Sequence, residues 1–184
     1  MIKFKQLFYE IYENSVLNEL GDKPYPYEMT INNGNETIYK FKTDLNENYQ
    51  VTFFKSTFKF LFMNLFKDKN VVKDLFYDSN LKGNEESIEV NFSKLDKYGQ
   101  SIFDTDASKD YIKVFSTIAL ILKKEMYAKD IIMFSSKEPN RTKLYNRYVK
   151  SKENNYKVFI FPGSMTLQGN TIYLLIPKLY YKQL

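Results

Sequence analysis

The chain has 184 residues, 43% hydrophobic and 17% aromatic, with a formal net charge of +5; this is enough apolar material for a core and too much for a disordered chain. It contains no cysteine and no histidine, so disulfides, thiolate chemistry and every Ser-His or Cys-His mechanism are excluded, and zinc and non-haem iron lose their usual ligands. An oxygen-ligated Mg²⁺ or Ca²⁺ is the one metal class left open.

Residues 2–20 predict an amphipathic helix, with Phe4, Leu7, Phe8, Ile11 and Leu20 near helical spacing and Gly21 as its stop. Lys3 and Lys5 stand early and Glu10, Glu13 and Glu19 late, against the helix dipole, so packing must hold it. The apolar run is broken by Gln and Glu and does not read as a signal peptide, and no stretch approaches 18 apolar residues. The expected organisation is a docking segment over 1–21 and a single domain over 22–184.

The stretch GDKPYPY (21–27) is a linker-like break. Three alternating segments follow: 25–31, with Tyr25, Tyr27, Met29 and Ile31 expected on one face, then 36–44 and 48–55. The turns NNGN (32–35) and LNEN (45–48) make them an antiparallel meander. Residues 56–80 read as helical, with Phe58, Leu61, Phe62 and Leu65 at helical spacing. The stretch FKSTFKFLFMNLFK interleaves Phe54, Phe58, Phe60, Phe62 and Phe66 with lysines. It suits a core, a protein-contact surface or a base-stacking surface.

Residues 87–95 alternate as a strand and 97–108 form a loop, in which Asp106 or Ser108 caps the next helix. That helix, 109–127, carries Val114, Phe115, Ile118, Leu122 and Met126 on one side. A buried strand over 130–136 leads to a helix opened by Pro139 and running to about 151. Strands at 157–162 and 171–177, joined by GSMTLQGN, close the chain. The expected fold is α/β (α+β), a mixed, largely antiparallel sheet with flanking helices.

The two arginines, Arg141 and Arg147, both fall in EPNRTKLYNRYVK. Residues 131–184 hold nine basic and two acidic side chains, whereas 1–130 hold eighteen and twenty. On a helix, Lys143, Arg147 and Lys150 share one face. A forked guanidinium grips a carboxylate or phosphate at two points, so Arg141, Lys143, Arg147 and Lys150 are the candidate binding residues for an acidic protein surface. A solvated basic face is the plain alternative. Asp104, Asp106 and Asp110 are a polar, helix-capping loop rather than a metal site, and no phosphate-loop or EF-hand motif is present.

The order strand, helix, strand, helix, strand, strand after residue 87, with Asn140 and Leu144-Tyr145 in PNRTKLYNRY, resembles the GNAT family of N-acetyltransferases. The resemblance implies a GNAT-like sheet over 25–177 and, for an acyl-CoA enzyme, Tyr145 as proton donor to the leaving thiolate. The family's glycine-rich pyrophosphate loop is replaced by YGQSIFDTDASKD, with one glycine, Gly99, and three aspartates. Acidic groups there repel a pyrophosphate, so no cofactor is expected. The segments VFSTIALILKKEMYAKDIIMFSSKEPNRTKLYNRYVK, KFKQLFYEIYEN and NELGDKPYPY are similar to uncharacterised proteins of tailed bacteriophages. That resemblance implies a phage protein in the host cytoplasm or incorporated in the virion, with phage or host proteins as partners. The expected function is non-enzymatic protein-protein contact, as a virion or assembly component. An acyl-CoA-dependent N-acetyltransferase and a nucleic-acid binder using the basic C-terminal third are the alternatives.

Overall fold

The computed structural model describes residues 23–63, 65–68, 70–77, 79–102, 111–127, 129–137, 139–150 and 152–181. The expected helix over 2–20 and the acidic stretch 104–110 lie outside the described residues.

The protein is α+β, built on a mixed, mostly antiparallel eight-stranded sheet with a few helices. The strands are β1 (Tyr27–Asn32), β2 (Glu36–Lys42), β3 (Asn48–Thr57), β4 (Glu86–Leu95), β5 (Ser101–Ile102), β6 (Ile131–Ser136), β7 (Tyr156–Phe161) and β8 (Thr171–Pro177). The helices are α1 (Phe58–Met63), α2 (Asn70–Tyr77), α3 (Tyr111–Glu125) and α4 (Pro139–Lys150). The sheet order is β1-β2-β3-β4-β6-β8-β7, with β5 folded back on β4. β4 and β6 run parallel, from Ser87↔Ile131 to Val90↔Phe134. β8 is antiparallel to both β6 and β7. Contacts divide the chain into two compact units, one of residues up to 33, 37–52 and 92–126, the other of 34–36, 53–91 and 127–184.

In the first unit the alternation in ETIYKFK buries Tyr39 and Phe41 and leaves Lys40 and Lys42 exposed. Asn46 takes φ 62°, a left-handed conformation that asparagine tolerates, and closes the β2–β3 turn through its N–H to the Thr43 carbonyl (3.0 Å). Four rings then stack in series: Tyr25 on Phe41 (centroids 6.2 Å apart, 13° between planes), Phe41 on Tyr49 (5.3 Å, 11°) and Tyr49 on Phe92 (5.7 Å, 11°). α3 packs here through Val114, Ile118, Ile121 and Leu122. Thr117 ties it to the segment before β1, its hydroxyl accepting the Tyr25 N–H (2.9 Å).

β1 departs from the expected shared face. Tyr25 is buried, but Met29 and Ile31 are 49% and 40% exposed, and the register slips between them. β1 is an edge strand, so its alternating residues have one neighbour rather than two, and a bulge there twists the edge away from further pairing. β5 was not anticipated, because two residues carry no periodic signal.

In the second unit the phenylalanine run divides: β3 continues to Thr57 and α1 begins at Phe58. α1 buries Phe58, Leu61 and Phe62. Phe62 is fully buried against Phe58 (4.9 Å), Phe66 (4.9 Å) and Phe161 (6.0 Å), in a core completed by Leu75, Ile131, Met133, Ile172 and Leu174. The segment joining β7 and β8 is more than a hairpin turn. It opens with a 3-10 turn at Gly163–Met165, and Thr166 bridges to Phe66.

Replacing Phe62 by Ala removes the ring that three others contact and leaves a cavity in a fully buried site. Equilibrium denaturation is expected to show a loss of about 3–5 kcal/mol.

Candidate functional site

Two regions carry the chemistry. The first is α4, where the candidate binding residues were placed. Pro139 supplies a pre-set φ at the helix start. Tyr145, Tyr148 and Val149 are the buried side, with Tyr145 and Tyr148 each packed on Phe134 (5.1 and 5.3 Å). The Tyr173 hydroxyl donates to the Thr142 carbonyl (3.2 Å) and anchors the first turn to β8. Burial pushes the Tyr173 hydroxyl above the ordinary tyrosine value, and its bond at Thr142 offsets part of that.

Position 150 stands with 143 and 147 on the helix side opposite 145 and 149, as the spacing required, and Lys150 is exposed. Positions 141 and 147 are separated by about 120° around the axis, so the two arginines do not share that face. The side chains of Arg141, Lys143 and Arg147 lie outside what is described. Tyr145 is 5% exposed, its ring against Phe134 and Tyr173 (5.6 Å), so the position marked for proton donation is a core position.

Gly99 sits in the turn between β4 and β5 rather than at a helix start. The Asp96 carboxylate accepts the N–H groups of Tyr98 and Gln100 (2.8 Å each), and the Asp96 carbonyl accepts the Gly99 N–H (3.0 Å). Gly99 takes φ +80°, which a side chain would strain. This glycine therefore serves hairpin geometry.

The second region is a cleft of about 730 Å³ in the first unit. In an antiparallel meander the start of β1, the end of β2, the start of β3 and the end of β4 meet at one end of the sheet, and the 96–99 turn lies there too. It is lined by Tyr27, Lys40, Phe41, Lys42, Tyr49, Lys97 and Tyr98, the last of them 76% exposed. Sequence reading missed this cleft. The signals were the two outward lysines of IYKFK and the KYG turn, but their 55-residue separation hides that they converge.

Beside the cleft, Tyr39 is fully buried and its hydroxyl donates to Glu125 Oε1 of α3 (2.5 Å). Burial, reinforced by the Glu125 carboxylate, raises the Tyr39 pKa, while Lys124 beside it works in the opposite sense. Tyr39 is thus a proton-keeping tie between β2 and α3. A scan against protein-family models found no match, and neither curated proteins nor solved structures gave one.

The Tyr39 pKa is raised on folding, so its contribution to stability is intact below the unfolded value of 10.0 and is lost as the pH climbs through the folded value. Urea midpoints measured from about pH 9 to pH 11 are expected to fall with pH in the wild type. Tyr39→Phe is expected to be less stable by about 1–2 kcal/mol near neutrality and to show a shallower alkaline fall.

Proposed function

We propose that this is a non-enzymatic protein that acts by protein-protein contact, as a virion or assembly component of a tailed bacteriophage. The observation that carries the contact reading is a group of large apolar side chains left in water on the second unit. Phe60 is 63% exposed, Met63 43%, Met165 38% and Leu167 60%. Phe60 and Met63 are three residues apart on α1. The Lys67 N–H donates to the Met165 carbonyl (3.1 Å) and the Leu167 N–H to the Leu65 carbonyl (2.8 Å), so the chain just after α1 lies along the segment that bears the other two.

That segment is held firmly. Thr166 is 1% exposed and its hydroxyl donates to the Asn170 carbonyl (2.8 Å). A Cβ on Gly163 would meet the Gly169 carbonyl oxygen at 2.2 Å, so the backbone there approaches as only glycine allows. The braced loop holds Met165 and Leu167 in solvent, and exposed apolar groups gathered in one region are what a partner covers.

The order β4, α3, β6, α4, β7, β8 supports a GNAT-like arrangement. The buried Tyr145 and the turn role of Gly99 weigh against the acyl-CoA enzyme. The phage setting rests on the likeness of the segments from VFST to YVK and of the opening stretch.

Two measurements test this reading. Capture from infected-cell lysate is expected to retain a stoichiometric protein on the wild-type chain and to lose it on Phe60→Ser/Leu167→Ser, with the variant melting like the wild type because both sites are exposed. Calorimetric titration with acetyl-CoA is expected to show no heat of binding up to about millimolar ligand. Equal capture by both chains, or micromolar acetyl-CoA binding, counts against it.

A further inference from the structure

The cleft of the first unit has a chemistry that the contact reading does not use. Of its two acidic residues, Glu28 and Asp96, the second is engaged by the backbone. Asp96 turns its carboxylate onto two backbone N–H groups, and Glu28 is the register partner of Lys40 across β1 and β2. Lys42 and Lys97 remain, and among the described residues neither has a carboxylate within ion-pair distance. Lys97 Nζ lies 4.8 Å from the Tyr98 ring centroid and covers one face of it. Tyr98 is 76% exposed, so its other face is open to solvent.

We propose that this cleft binds a nucleotide, with an aromatic base on the open face of Tyr98 and its phosphate between Lys42 and Lys97. A volume of about 730 Å³ is in the range of sites that hold small organic ligands. Rings beside ammonium groups are the combination by which single-stranded nucleic acid is held without base readout. Lysine here acts as a point charge, which suits a phosphate approached from several directions. The same chemistry is offered by a free mononucleotide and by one nucleotide of a strand. This site uses no residue of the basic C-terminal third or of the exposed apolar group.

The test uses the full chain in about 50 mM salt, with fluorescence anisotropy on a labelled oligothymidine of about twelve residues and calorimetry with thymidine monophosphate. Tyr98→Ala is expected to weaken oligothymidine binding about tenfold. Lys42→Ala/Lys97→Ala, which removes the contact to that one phosphate, is expected to flatten the slope of log affinity on log salt by about 0.7. All three positions are exposed, and unchanged melting shows that the variants fold. If thymidine monophosphate binds with the same sensitivities, the ligand is a free nucleotide. If only the strand binds, the cleft serves single-stranded nucleic acid. Either result supports the site. No binding of either probe at low salt overturns it. So does binding that these variants leave intact while Lys150→Glu weakens it, which moves the contact to α4. Binding of polyglutamate where both nucleotide probes fail overturns it too, since that makes the cleft an acidic-peptide site.

Discussion

Burying a phenol costs least when its hydroxyl finds a partner, and three of this chain's sixteen tyrosines use such a bond to tie one element to another. Tyr39 reaches from β2 to Glu125 on α3. Tyr173 reaches from β8 to the Thr142 carbonyl at the start of α4. Tyr156 reaches from β7 to the Tyr127 carbonyl, at the turn that precedes β6 (3.0 Å). Each bond joins a strand to a helix or turn of the same unit, and each fixes a direction that apolar packing alone leaves loose. With no disulfide to hold neighbouring elements, directional bonds inside an aromatic core specify which packing is the native one.

The same economy shapes the cleft. The near-parallel series Tyr25, Phe41, Tyr49 and Phe92 puts one ring before β1 and one on each of β2, β3 and β4, and such pairs add about 0.5–1.5 kcal/mol each beyond the area they bury. Period-two alternation then requires that the neighbours of these rings point the other way, which sets Lys40 and Lys42 in solvent beside Phe41. The far end of the series is closed by Lys113, whose ammonium lies 4.1 Å from the Tyr25 ring centroid and 2.9 Å from Asp44. The cleft is thus the outer margin of a core device. Its rings are fixed by folding, while its exposed lysines and Tyr98 contribute little to it.

Much of the fold was legible because its signals are local. Alternation marked β2, β3 and β4 and short apolar runs marked β7 and β8, all to within two residues or so, and 3.6-residue spacing marked α3 through Val114, Ile118 and Leu122. Even the phenylalanine run was readable as helix, since Phe58, Leu61 and Phe62 do share a buried side. What failed was whatever depends on neighbours in space. Met29 and Ile31 have the pattern of a covered face, but β1 lies at the sheet edge. The Leu-Tyr pair of α4 stood out only through its likeness to the acetyltransferase helix, and what the chain order could not show is that Phe134 and Tyr173 pack on Tyr145. The sites were least legible, because the segments that bear Lys42 and Tyr98, or Met63 and Leu167, are brought near each other only by long-range pairing.

The two arginines illustrate what a composition-based clue can and cannot decide. Their seclusion in one helix drew attention to α4, and the spacing of Lys143, Arg147 and Lys150 does place those positions away from the buried Tyr145 and Val149. Six residues, however, carry Arg141 about 120° away from Arg147, so they cannot grip one carboxylate or phosphate together from the same face. In the proposed contact, positive charge at positions 143, 147 and 150 would steer a partner more than fix it. Fixing requires apolar anchors that a partner desolvates, and on the proposed contact reading Phe60, Met63, Met165 and Leu167, all exposed in the second unit, take that part. On that proposed reading, charge serves approach and apolar side chains serve hold, a division of labour that needs no catalytic group.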